Sequence, residues 1–440
     1  MTIYIDSCVL QDFKKDEYSE IVRQIKSDKP KNIYCFSEAH LYDLARDETP
    51  EKYKDMQFME EIVDNNCFFY NKKICFEYRT PEEYYNSFEW PNSKNFDSDG
   101  SLNAMFSNFK SIPLQFNHFL NEEDVSQDCP FEFIELLKGT STMYDFMVGF
   151  LDFTEDLTNE QKKFRELIKY LHQNSLTYKI YESIGIKGFD GDKVIDMEAF
   201  RESFSGYYLK GNEKYRYDLF TDMYIGLEIF GFVKGKPKKQ KLMNLINDAR
   251  HAFFGGFCDI IVSKDEDFLC KTKFMFELHG IKTQVLNLEQ FVIHLTESLA
   301  DVSNLSRILS ELDNINQREI LNTSENENKE YTVKLLDKTY FGYFDTVTFI
   351  NDENGTHFYF SKEVNSFSTG TLVKQIDYVT HCLVLELGAD KNNMKFFKVD
   401  EIKEGLWEGR NWNLTTVYID LNFTEKMYLR FIPILSKYKT

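Results

Sequence analysis

Residues 243–268, MNLINDARHAFFGGFCDIIVSKDEDF, decide how this chain is read. Leu242, Leu245, Ile246, Ala249, Ala252 and Phe253 recur at helical spacing, so the first half is expected to be a helix with one apolar face. Gly255-Gly256 stop that helix. Asp259–Ser263 is a short apolar run expected to form a strand, closed by the Ser-x-Asp-x-Asp turn of Ser263, Asp265 and Asp267. An acid on a helix, Asp248, is thereby set beside acids at the carboxyl end of a strand.

The amino terminus carries a second such pair. Ile3–Ile5 reads as a strand ending at Asp6, and Val9 to about Lys26 as a largely helical segment with Leu10, Phe13, Ile21 and Ile25 facing a core. After the break at 29–32, Ile33–Phe36 reads as a second strand, followed at once by a helix with Ser37 as N-cap and Glu38 in its first turn. Phe68–Glu77 either extends the sheet or starts a loop. Residues 267–279 suit a helix ended by Gly280, Ile281–Leu286 another strand, and 288–313 one or two closing helices.

The segments between and beyond differ in character. Residues 79–235 read as a mostly helical insertion, with helical stretches near 102–120, 131–150, 159–182 and 213–232. The α/β pattern of 1–78 resumes over 236–320. NTSENENKE (322–330) is polar enough to be a linker. From 331 to 440, apolar runs such as GYFDTVTFI, THFYFS, HCLVLELG and TTVYIDLNF alternate with turn-forming stretches, so a C-terminal β-rich domain, sandwich or barrel, is expected. The fold class is therefore α/β with a central parallel sheet, interrupted by helices and followed by a β domain.

Composition narrows the function classes. Hydrophobic residues make up 42% of the 440, including 41 Phe and 26 Tyr, enough for two or three packed domains. No segment approaches the roughly 20 apolar residues of a membrane span, and the opening MTIYIDSCVLQDF has no basic n-region, so no membrane partner is expected and the cytoplasm is the expected compartment. Eight scattered cysteines without a C-x-x-C pair point to free thiols, not a zinc knuckle. A net charge of −20 disfavours diffuse attraction to nucleic acid but leaves room for local basic strips. One strip is VKGKPKKQK (233–241), which holds Lys238 and Lys239; Lys264 and Lys271 flank the acidic turn. A phosphate backbone and a solvated connector are both open readings of these lysines. There is no P-loop and no nucleophile elbow.

Four acids at one rim of an α/β sheet have a chemical use. Mg²⁺ and Mn²⁺ prefer hard oxygen ligands, and in open sheets ligands gather at the carboxyl ends of the strands. Taken singly, Glu38 can be a dipole partner of its helix, Asp248 a surface acid, and Asp265 and Asp267 turn formers. Their order, strand–Asp6, helix–Glu38, helix–Asp248 and strand–Ser263-x-Asp265, resembles that of the PIN-domain nuclease family over 1–78 and 236–295. The resemblance implies a three-layer α/β/α fold and Mg²⁺- or Mn²⁺-dependent hydrolysis, most often of RNA. It implies Asp6, Glu38, Asp248 and Asp265 as metal ligands, Asp267 at a second ion or its waters, and Ser263 hydrogen-bonding a water or an acidic ligand. A non-catalytic scaffold that binds a protein partner through the C-terminal domain, and a structure-specific DNA nuclease, are the alternatives.

Overall fold

The structure, a computed structural model, describes residues 1–87, 217–229, 242–298 and 320–433, with short gaps. Most of the expected insertion lies outside the described residues, as do Lys238, Lys239 and the strip around them.

Six strands make the first sheet: β1 (Thr2–Ile5), β2 (Ile33–Ser37), β3 (Asn66–Tyr70), β4 (Ile74–Tyr78), β5 (Ile260–Val262) and β6 (Gln284–Leu286). Their order is β4-β3-β2-β1-β5-β6. β1 lies parallel to both neighbours, Ile3 being opposite Tyr34 of β2 and Ile260 of β5. Only β4 runs against the rest, as a hairpin partner of β3. The sheet is thus mixed, not purely parallel, because 68–77 folds back as two paired strands.

The central strands β1, β2 and β5 are short and buried on both faces, so side chains alternate between two cores. Tyr4, Cys35, Phe68 and Ile261 meet α6 (Tyr217–Ile229), α7 (Leu242–Gly255) and α8 (Glu266–His279). Ile3, Ile5, Tyr34, Phe36 and Val262 meet α1 (Ser7–Asp12), α2 (Ser19–Asp28), α4 (Glu51–Val63) and α9 (Leu288–Ser298). The largely helical segment expected over Val9 to about Lys26 comprises α1, a 3₁₀ turn at Asp16–Tyr18, and α2. α3 (Glu38–Ala45) follows β2 directly, and α5 (Pro81–Ser87) follows β4. α6 was expected to belong to the insertion, yet Phe220, Tyr224 and Leu227 are fully buried beneath α7 and α8. Its apolar face is part of the α/β core.

The C-terminal domain is one open antiparallel sheet, not a sandwich or barrel. Its strands are β7 (Asn322–Asn326), β8 (Lys329–Tyr340), β9 (Phe344–Asp352) and β10 (Gly355–Glu363), then β13 (Arg410–Asn413), β14 (Val417–Phe423) and β15 (Lys426–Pro433), ordered β13-β14-β15-β10-β9-β8-β7. A small hairpin, β11 (Ile402–Lys403) and β12 (Leu406–Trp407), adds Trp407 to its core. The expected linker at 322–330 is β7 and its turn, held by pairing with β8. HCLVLELG (381–388), expected as strand, is the end of α10 (Thr369–Leu387) and the Gly388 that follows it; Ile376, Val379 and Leu383 of α10 pack onto the sheet. Helical spacing of those three residues over a longer window outweighs the β propensity of the short run.

A candidate acidic site at the strand ends

Strand order fixes where a site can form. From β1 the chain crosses to β2 on one side, and from β5 it crosses to β6 on the other, so β1 and β5 flank the switch in crossover direction. In open α/β sheets the crevice at that point is where ligands bind. Asp6 and Ser263 are the first residues beyond the ends of these two strands.

The two are joined. The Asp6 N–H donates to the Val262 carbonyl at 2.9 Å, continuing the β1–β5 ladder by one bond. Asp6 Oδ2 accepts from Ser263 Oγ at 2.7 Å and from Cys8 Sγ at 2.9 Å. Ser263 Oγ in turn accepts from the Asp265 N–H at 3.2 Å. Ser263 is fully buried and orients an acid, as the sequence suggested for its hydroxyl. Burial and the neighbouring Asp6 carboxylate push the Cys8 thiol far up, so Cys8 is no thiolate nucleophile.

Asp265 caps α8. Its Oδ1 accepts from the N–H groups of Asp267 and Phe268, at 2.9 and 3.1 Å. That pins the carboxylate while Oδ2 accepts no hydrogen bond among the described residues. Asp267 lies in the first turn of the same helix, partly exposed.

Asp248 lies midway along α7. Burial pushes its carboxyl up to about 7; Lys271 acts against that, while the charges of Asp6 and Asp265 add to it. Asp6 and Asp265 thus act on Asp248 through their charge.

Glu38 is elsewhere. It is buried, and its carboxylate accepts a long 3.5 Å contact from Tyr84 of α5. Burial raises it to about 7, against Arg250, the Tyr70 N–H and Tyr84. Those groups belong to α7, β3 and α5, so Glu38 turns toward β3 and not toward Asp6. The expected four-acid set is corrected on this point.

α3 supplies a different acid, Asp43, which the sequence reading passed over. Asp43 Oδ2 accepts from His251 Nε2 at 3.0 Å, and the same nitrogen lies 3.9 Å from Asp6 Oδ1. Burial acts to raise Asp43, but the His251 hydrogen bond and charge outweigh it and hold the carboxyl down to about 2. The imidazole responds in kind. Burial alone would lower it, and its contact with Asp43, with Asp6 beyond, raises it. Its other nitrogen meets Tyr4 Oη at 2.8 Å, and Tyr4 Oη is 2.7 Å from Ser37 Oγ. His40 completes this buried polar layer. It is kept neutral, burial and the His251 charge lowering it to about 3, with Nε2 donating to the Ile5 carbonyl at 2.7 Å and Nδ1 accepting the Ser37 N–H. Asp43 was detectable in principle as the acid three residues beyond His40 on the same helix face. Ser7 and Asp43 approach the same His251 nitrogen, at 3.4 and 3.0 Å, so no Ser–His–Asp relay exists; that relay needs opposite nitrogens.

The lysines divide. Lys271 is wholly buried, its ammonium 5.1 Å from the Tyr224 ring centre and acting on Asp248. It compensates charge inside the protein and is not a surface contact for phosphate. Lys264 is exposed at the rim and paired with Asp12. A cleft of about 660 Å³ lined by Glu60, Glu61, Asp64 and Lys374 opens at the opposite, amino-terminal end of the strands.

Among the described residues no three His, Cys, Asp or Glu side chains stand close enough to hold a metal ion. No helix among them is long and apolar enough to cross a membrane. Comparison with family models, with curated proteins and with solved structures finds no match.

Proposed function

We propose that the chain is a metal-dependent nuclease with a PIN-like, three-layer α/β/α domain, hydrolysing phosphodiester bonds in RNA. The observation that carries this reading is the joining of Asp6 to Ser263 at the β1/β5 crevice, with Asp265 fixed two residues on and the charges of both acids acting on Asp248, whose carboxyl burial raises to about 7. Such crowding is unfavourable in itself, and a divalent cation relieves it. The donor chemistry fits, since the three side chains offer hard carboxylate oxygens of the kind Mg²⁺ and Mn²⁺ take. Bound there, the ion would supply a water of lowered pKa and neutralise charge developing on the phosphoryl group.

The chain's own residues do the rest. Ser263 and the α8 N-terminus fix the direction of Asp6 and Asp265. His251 holds Asp43 behind Asp6, and Lys264 and Asp267 face outward where a phosphate backbone would pass. Labelled RNA and DNA incubated with the full chain and Mn²⁺ or EDTA test the reading. Mn²⁺-dependent cleavage of RNA is expected, falling about 10²-fold or more in Asp265→Asn. Equal inactivity of both proteins would sink it.

A second reading has one observation in its favour. Lys271 and His251 already place basic groups beside the acids, and no metal-holding trio is formed among the described residues. On that reading the layer is structural and the protein a non-catalytic binding scaffold. Calorimetry with Mn²⁺ separates the two, because a scaffold gives no heat that Asp265→Asn abolishes.

A further inference from the structure

The end of β1 opposite Asp6 is held by the C-terminal domain. Asp259, just before β5, accepts through Oδ2 from both the Thr2 N–H at 2.7 Å and Thr2 Oγ at 3.1 Å. The return bond, from the Asp259 N–H to the Thr2 carbonyl, is 2.9 Å. The same Oδ2 receives Lys362 Nζ at 3.3 Å. Lys362 belongs to β10, is only 5% exposed, and lies 5.1 Å from the ring centre of the buried Tyr343. β1 and β5 have four and three residues, so their alignment rests on few ladder bonds. At about 3.3 Å per residue, Thr2 and Asp6 are roughly 13 Å apart along one strand. A shift at the first is carried to the second.

We propose that Lys362 is a positioning residue for the acidic rim: from the C-terminal domain it locks Asp259 onto Thr2, and thereby sets the β1–β5 alignment that brings Asp6 against Ser263. The proposal rests on the metal-site reading for its functional consequence and on geometry alone for its structural one. A lysine ammonium buried on a carboxylate is costly to leave unpaired, so this contact has one preferred arrangement. The C-terminal domain then sets the site from behind without touching substrate.

The domain contact includes an internal control. Lys374 of α10 also crosses to the α/β domain, onto Asn66, and lies 4.9 Å from the ring centre of Tyr78. Those residues sit on β3 and β4, which carry none of Asp6, Asp248 or Asp265. Full-length Lys362→Met, Lys362→Arg, Asp259→Asn and Lys374→Met are compared with the wild type, well below their melting temperatures. Amide hydrogen exchange at Asp6 and Ser263 and Mn²⁺ affinity by calorimetry are read. Lys362→Met and Asp259→Asn are expected to speed exchange at both amides about tenfold and weaken Mn²⁺ about fivefold. Lys362→Arg restores both, and Lys374→Met changes neither. Wild-type exchange at Asp6 and Ser263 in Lys362→Met, or an equal effect from Lys374→Met, overturns the proposal; if Lys362→Met does not fold, Asp259→Asn decides by the same criteria. A wild type that binds no Mn²⁺ defeats the metal reading, while the exchange data still decide the role of Lys362.

Discussion

Glu38 and Asp43 show how much turns on single positions. They are five residues apart on α3, so at about 100° per residue they point roughly 140° away from each other. One goes to the layer beneath Asp6, the other to Arg250 and the tyrosines near β3. The burial that raises Glu38 to about 7 yields a prediction with a definite sign. Its folded value exceeds the unfolded 4.5, so the stability it contributes is full below about 4.5 and is lost as pH rises through about 7. Glu38→Gln removes this term. Thermal melts of the two proteins should show wild type losing ground to the variant from pH 4.5 to 7.5, by on the order of 1–3 kcal/mol. Parallel melting curves across that range would show the carboxyl to be ordinary. Neighbouring His40 acts with the opposite sign: held near 3, it binds no proton in the folded protein where the unfolded chain does, so its contribution is lost as pH falls below about 6.5.

At the scale of elements, the α7–β5 corner is the tightest joint near the site. Gly255 closes α7, and a Cβ there would lie 2.2 Å from Ile261 Cδ1 and 3.0 Å from Cγ1. Ile261 is fully buried in the core shared by α6, α7 and α8, so its side chain has little room to retreat. Gly255→Ala should therefore destabilise by about 1–3 kcal/mol through overpacking, despite the better helix propensity of alanine. Chemical denaturation measures this, and a more stable variant would show that the corner yields freely. Because the same corner leads Asp265 to the rim, weaker Mn²⁺ binding should accompany the loss.

For the whole molecule, the metal reading implies linkage between ion and fold. Mn²⁺ at about 100 times its Kd should add about 2.7 kcal/mol to stability, seen as a rise in Tm that EDTA reverses. Asp6→Asn and Asp265→Asn should abolish the rise without abolishing folding. A wild-type Tm indifferent to Mn²⁺ would leave the scaffold reading standing. The net charge of −20 makes the same point from outside: a cation is drawn to such a chain, whereas RNA must be captured by local contacts.

The sequence by itself determined the α/β core, since short apolar strands, helical spacing and the Gly255-Gly256 stop are local signals that packing later agreed with. It also placed Asp6, Ser263 and Asp265 at strand and helix ends, because the ends of elements are marked by where apolar runs stop. Tertiary structure alone decided which way each side chain turns. Choosing Asp43 over Glu38 depends on what packs against α3, and burying Lys271 depends on Tyr224 arriving from a distant segment. The same holds for the C-terminal domain, where β7 exists only through pairing with β8 and HCLVLELG becomes helix on the face it buries. Such outcomes rest on contacts between residues far apart in the chain; local spacing hints at the helix over 369–387 and at Asp43, but only those contacts decide between the readings it leaves open.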